Sequence, residues 1–253
     1  MDETPHFQII TFYEFKRFDA DALPQKRAEL RRVMEENSIT GTIILAEEGF
    51  NATVCGIPSA VEALVVAAES ILDTTLHYKS SVHDESPFRK IDVKIKPEIV
   101  TLKQPVDISL GEGTHVDASK WNEIISDPSI VLLDARNEYE FKNGTFKGAM
   151  NSKTEKFSDL PAFVAENLDP EKHPNIAMFC TGGIRCEKFA PYMKQLGFKQ
   201  VFQLDGGILR YLEQTAADES LWEGECFIFD QRLTLDQDLQ KGSGRDHSRD
   251  AAA

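Results

Sequence analysis

The sequence lacks any uninterrupted apolar run approaching the roughly 18–20 residues that a membrane-spanning helix needs, so no membrane span is expected. Its opening stretch, MDETPHFQII, has neither the basic region nor the apolar segment of a signal peptide. Cysteine is sparse, with Cys55, Cys180, Cys186 and Cys226 the whole complement of 253 residues. That is too few for a disulfide scaffold and points to a reducing, cytoplasmic location. The six histidines are scattered singletons without metal-ligand spacing, so no metal is expected. Excess positive charge is missing too: 28 Lys and Arg stand against 42 Asp and Glu, a net charge of −14. Broad, non-specific affinity for nucleic acid is thereby excluded, because phosphate contacts need basic side chains. There is no internal repeat.

What remains has the composition of a soluble globular chain, 41% hydrophobic and 28% charged. Residues 7–15, FQIITFYEF, are rich in β-branched and aromatic residues and read as a strand. A helix follows over 21–37, with Leu23, Leu30, Val33 and Met34 as its apolar stripe. Residues 41–56 read as two strands joined near Glu47-Glu48-Gly49, and a second helix runs from Pro58 to about Leu72. Strand-like residues recur over 75–82 and 89–100. The order β-α-β-β-α-β predicts a ferredoxin-like α+β domain over 1–104. Pro105, Gly111 and Gly113 break the pattern there. Within 77–103 lie Lys79, Arg89, Lys90, Lys94, Lys96 and Lys103 against four acidic residues, a local excess of two positive charges. The first five are candidate RNA-binding residues, the alternative being an ordinary solvated surface.

The second half changes character. Residues 117–129 read as a helix carrying Trp121, Ile124 and Ile125. Three near-continuous apolar runs follow: IVLLDAR (130–136), IAMFC (176–180) and QVFQLDGG (200–207), with helices predicted over 158–167 and 184–196. Such runs suit buried strands of a parallel α/β sheet. Ligand sites in such sheets lie at the carboxyl ends of strands, where Asp134, Arg136 and Cys180 fall. Pro191 sits inside the last predicted helix and is expected to kink or divide it. From Thr234 onward the chain has little to bury, and a disordered tail over 234–253 is expected.

The chemistry concentrates in Cys180-Thr181-Gly182-Gly183-Ile184-Arg185. A cysteine ending a buried strand and entering a glycine-rich turn before a helix meets inward N–H groups, a helix N-terminus and the Arg185 charge. Each favours thiolate over thiol and activates a nucleophile. The alternative is a small buried apolar cysteine. Four residues separate Cys180 from Arg185, one fewer than cysteine phosphatases use to wrap a phosphate. The tighter cradle suits a persulfide on Cys180. Asp134 and Arg136, at a neighbouring strand end, are read as support for the loop, with direct substrate contact as the alternative, and Glu140 as a buttress or surface residue rather than an acid catalyst. Cys186 is placed to resolve an oxidised Cys180, a packed helix thiol being the competing reading. Phe50 and Phe88 are read as core residues. Cys55 and Cys226 are read as structural.

The block Cys180-Thr-Gly-Gly-Ile-Arg-Cys-Glu-Lys188 closely resembles the rhodanese-domain tRNA uridine hydroxylases, which oxidise the wobble uridine of tRNA to 5-hydroxyuridine. So do Asp134 to Phe141, Gly144 to Ala149, Leu204 to Ile208, Trp222 to Asp230, Glu48 to Asn51 and Ser86-Pro87-Phe88. The resemblance spans about residues 5–233 and implies a rhodanese domain over 114–212 followed by a family segment over 213–233. It further implies catalytic Cys180, dioxygen as co-substrate and an N-terminal domain that helps hold the anticodon region of tRNA. A sulfur donor or redox partner is a further expectation, and no bound cofactor is evident in the sequence. Longer members continue into a cysteine-bearing extension, so a short member lacking it is expected. A sulfurtransferase working through a Cys180 persulfide is the rival reading. The sequence leaves the oligomeric state open.

Overall fold

The computed structural model describes residues 6–107 and 110–248. It divides into two compact units, Met1–Thr101 and Leu102–Ala253.

In the first unit, β1 (Phe7–Glu14), α1 (Leu23–Glu36), β2 (Thr40–Ala46), β3 (Gly49–Gly56), α2 (Pro58–Leu72) and β4 (Tyr78–His83) follow the predicted ferredoxin-like order. An added strand, β5 (Ile91–Ile95), completes a sheet ordered β4-β1-β3-β2-β5. β5 runs parallel to β2, whereas β1, β2, β3 and β4 pair antiparallel. The two-residue period of each strand sorts its side chains. Ile10, Phe12, Ile43, Leu45, Ala52 and Val54 pack with Leu30 and Met34 of α1 and Leu64, Ala68 and Leu72 of α2. The other face carries a cross-strand row of Lys79, Thr11, Thr53, Thr42 and Asp92. The Thr11 and Thr53 hydroxyls in it are 3.1 Å apart.

The second unit is built on a five-stranded parallel sheet. Its elements are β6 (Thr114–Val116), α3 (Ala118–Ser126), β7 (Val131–Asp134), α4 (Glu138–Phe141), β8 (Gly144–Phe146), β9 (Met150–Asn151), α5 (Leu160–Asn167), β10 (Asn175–Phe179), α6 (Ile184–Gln195), β11 (Gln200–Leu204), α7 (Gly207–Gln214), β12 (Trp222–Gly224), β13 (Cys226–Phe227) and β14 (Thr234–Leu235). The sheet order is β6-β11-β10-β7-β9. Ile176, Ala177, Met178 and Phe179 of β10 are fully buried, as a central parallel strand covered on both faces requires. Burial of each large side chain contributes about 1.5–3 kcal/mol.

The family segment beyond 212 packs into this unit's core: β12 pairs with β8, and Trp222 packs edge-on against Phe146 and Phe179. Two expectations change here. The tail is not disordered over 234–248. There, Glu225 accepts hydrogen bonds from the Ser243 and Gly244 N–H groups and the Thr234 hydroxyl at 3.0, 2.7 and 2.6 Å. A single carboxylate thus organises a segment with little to bury. Helix α6 is also a single element over Ile184–Gln195 and is not divided at Pro191. Phe189, Ala190 and Met193 around the proline are fully buried, and this packing offsets the lost backbone bond.

Candidate active site

Cys180 follows β10 directly and lies in the turn that leads to α6. The turn closes because Gly183 adopts φ +106°, a conformation side-chain-bearing residues rarely reach. Its N–H then points back and donates to Cys180 Sγ at 3.1 Å. The turn is braced from outside by the start of α7, where the Ile208 and Leu209 N–H groups donate to the carbonyls of Cys180 and Thr181 at 3.0 and 3.2 Å. Gly207 makes this approach possible, since a Cβ there would lie 2.5 Å from the Cys180 carbonyl oxygen and 2.7 Å from that of Thr181.

Burial opposes ionisation of Cys180, which is 1% exposed. It is outweighed by hydrogen bonds from the Cys186 thiol and backbone, by the Arg185 charge and by the Gly183 N–H. The Cys180 thiol is accordingly held well below its ordinary range. Burial and the adjacent Cys180 anion push Cys186 well above its own. The two sulfurs therefore form an unequal pair in which Cys180 is the readier to ionise.

Arg185 does not extend freely over the sulfur. Its guanidinium grips Glu140 through two hydrogen bonds of 2.6 and 2.8 Å, and its Nη2 also reaches Thr181 Oγ1 at 3.3 Å. Glu140 is fully buried and additionally accepts from the Asn137 N–H at 3.0 Å. Burial drives the Glu140 carboxyl up, but Arg185, then Arg136 and Asn137, bring it below its ordinary value. Glu140 is therefore an ionised buttress of the cysteine loop.

Behind it, Asp134 and Arg136 form a second buried fork with bonds of 2.6 and 2.9 Å. Arg136 also donates to the Gly144 carbonyl at 2.6 Å and lies 5.1 Å from the centre of the Trp222 ring. Thr145 Oγ1 donates to Asp134 at 3.0 Å. Both side chains of this fork are essentially inaccessible, and their contacts tie β7 to β8 and to Trp222.

Cys55 and Cys226 are buried, and burial pushes the Cys226 thiol up to about 12. Of the basic candidates of the first unit, Lys79 stands apart from the other four, which lie within residues 89–96. Lys79 lies on β4 and Lys94 on β5, opposite edges of the sheet with three strands between. Lys94 and Lys90 both turn to Asp92, at 2.6 and 3.6 Å. Arg89, Lys90 and Lys96 are exposed. Phe50 is 1% exposed and packs against Phe12 and Phe18 as core.

Residues that pattern reading passed over complete the site. Tyr139, Phe227 and Phe229 form an edge-to-face chain with ring centres 5.2 and 5.5 Å apart, and Phe229 lies 5.8 Å from the Arg185 guanidinium. For the two phenylalanines the signal was the short apolar run Cys226-Phe227-Ile228-Phe229, which is too short to identify a site by itself.

The parallel sheet with a cysteine turn at a strand end, preceded by a ferredoxin-like unit, defines the class. Residues 117–214 match the Rhodanese-like domain family, and residues 7–99 match the UPF0176 acylphosphatase like domain family. A tRNA uridine(34) hydroxylase from Picosynechococcus sp. is 47% identical over 240 residues, covering 93% of this chain and 79% of the relative. A protein of the same name from Teredinibacter turnerae is 49% identical over 212 residues, covering 83% of this chain and 66% of the relative. The chain belongs to the family of these proteins. Among solved structures, a rhodanese-like domain from Anabaena sp. is 21% identical with a TM-score of 0.36, covering 44% of this chain and 78% of that one. No helix among the described residues is long and apolar enough to cross a membrane.

Proposed function

We propose that this chain hydroxylates the wobble uridine in the anticodon region of tRNA, converting it to 5-hydroxyuridine with dioxygen as co-substrate. The observation that carries the reading is Cys180 in its glycine turn, its Sγ accepting from the Gly183 N–H at 3.1 Å, in a chain 47% identical to a protein named for that activity. In this reading Cys180 is the reacting nucleophile, or carries a persulfide from a sulfur donor. The Gly183 N–H and the Arg185 charge stabilise its anion. Glu140, Asp134 and Arg136 act as positioning residues, holding the loop through buried ion pairs. The overall change inserts one oxygen atom into the C5–H bond of uracil. The second oxygen leaves as water, using two protons and two electrons from a reductant of the thiol or persulfide class.

The exposed Arg89, Lys90 and Lys96 offer phosphate contacts within an otherwise acidic chain. With few basic side chains in an acidic chain, recognition of a single-stranded loop by its splayed bases is favoured over docking along a duplex. The test is growth of a strain deleted for this gene and complemented with the wild-type chain under isotopically labelled dioxygen. Labelled 5-hydroxyuridine derivatives in tRNA, absent from the uncomplemented deletion, are expected. Unchanged 5-hydroxyuridine in the deletion, together with cyanide-dependent turnover of thiosulfate by the purified chain, would replace hydroxylation with sulfur transfer.

A further inference from the structure

Phe229 is out of keeping with its surroundings. Phe227 and Ile228 before it are each 6% exposed, yet Phe229 itself is 64% exposed. A single exposed apolar residue is ordinary on a protein surface; what sets this one apart is the bonded hairpin that holds it at the cysteine turn. The Ile228 N–H donates to the Leu233 carbonyl at 2.8 Å across the turn. The Asp230 carboxylate and Arg232 guanidinium form a buried fork at 2.6 Å within it. The ring is steadied at its edge by Phe227, with centres 5.5 Å apart.

The hairpin also belongs to the rim of the cysteine turn. The Phe227 carbonyl lies 3.5 Å from Thr181 Oγ1. The Arg185 guanidinium lies over the Phe229 ring, 5.8 Å from its centre. Cation–π contact of this kind covers one face of a ring and leaves the other to water. The uncovered face of a rigid aromatic, one side chain away from the Cys180 environment, suits an unpaired base, because every base has a π-face and stacking is insensitive to its identity.

We propose that Phe229 is the stacking platform that receives the target pyrimidine at the rim of the Cys180 turn, an assignment that rests on the RNA-modifying reading above. Phe229 supplies binding and orientation, and takes no part in proton or electron transfer. Its contribution is made to the base alone, so it is separable from phosphate contacts elsewhere.

The experiment measures binding of an anticodon stem-loop RNA to the full chain under anaerobic conditions, which prevent turnover. The wobble position carries either uridine or an abasic site, and the proteins are wild type, Phe229→Ala and Phe229→Trp. Wild type is expected to bind the uridine RNA about tenfold more tightly than the abasic RNA, the size of a single base–aromatic stack. Phe229→Ala should bind both RNAs alike, at the abasic level, and Phe229→Trp should restore the preference. Because the ring is largely exposed, thermal unfolding of all three proteins should coincide. An unchanged uridine preference in Phe229→Ala, or no preference in wild type, overturns the assignment. Failure of hydroxylation itself is read separately, as absence of 5-hydroxyuridine from cells carrying the wild-type chain.

Discussion

Replacing Glu140 with alanine tests whether the cysteine loop is held by a buried ion pair. The change removes two Arg185 hydrogen bonds of 2.6 and 2.8 Å and leaves a guanidinium residue only 6% exposed. Removing one partner of a buried pair costs about 3–5 kcal/mol, because the surviving charge cannot regain its water. The Asn137 N–H also loses its acceptor, at about 1 kcal/mol. Thr181 Oγ1, still 3.3 Å from Arg185, offsets part of this, so a net loss of about 4 kcal/mol is expected. Glutamine keeps the shape and one acceptor, exchanging charged hydrogen bonds for neutral ones, and should cost about 1–2 kcal/mol. Trp121 and Trp222 are the chain's two tryptophans, and both are buried in the second unit. Tryptophan fluorescence during urea unfolding therefore reports on that unit alone. A loss below about 1 kcal/mol in the alanine variant would refute the reasoning, since only a solvated pair is worth so little.

Gly207→Ala should lower the stability of the second unit by about 1–3 kcal/mol and slow alkylation of Cys180. The new Cβ would meet the Cys180 carbonyl oxygen at 2.5 Å, and urea unfolding with a thiol-labelling time course checks both effects. Cys180→Ser should flatten the pH dependence of stability. Below the ordinary thiol value of about 8.5, the folded thiolate binds fewer protons than the unfolded thiol, so stability rises with pH and is lost as pH falls through the depressed folded value. The serine variant lacks that rise, and urea midpoints measured against pH in this window show it. Cys186 and Cys226, whose folded values are raised, act in the opposite sense only above the ordinary thiol value. Glu225→Ala should release residues 241–245 without altering the unfolding of the core, seen as faster amide exchange confined to that segment. In the wild type the same release is expected only as pH falls through about 2, the value to which the Thr234 hydroxyl and then the Ser243 N–H hold the Glu225 carboxyl.

The elements with a clear period were legible in the sequence. The apolar runs ending at Asp134 and Cys180 are β7 and the close of β10, and the β-α-β-β-α-β alternation is the first unit's fold. The cysteine turn could be read because its cause is local: two glycines, a strand end and a helix start. Long-range matters were hidden. Pairing of Glu140 with Arg185 joins residues 45 apart, and nothing in either neighbourhood announces it. Gly207 bracing the Cys180 turn is equally remote, although the glycine pair Gly206-Gly207 was a visible hint. The separation of Lys79 from the other basic candidates was hidden as well, because the sheet order β4-β1-β3-β2-β5 puts β4 and β5 on opposite edges. The ordered tail escaped notice because polar hydrogen bonds to Glu225, with little apolar burial, hold it.

The most direct test of the central claim is nucleoside mass spectrometry of tRNA from the deletion strain carrying either wild type or Cys180→Ser. The Cys180 thiolate account predicts that wild type restores 5-hydroxyuridine derivatives and that the serine variant, expressed at the same level, restores none. Full restoration by Cys180→Ser would contradict it and remove Cys180 from the centre of the reaction.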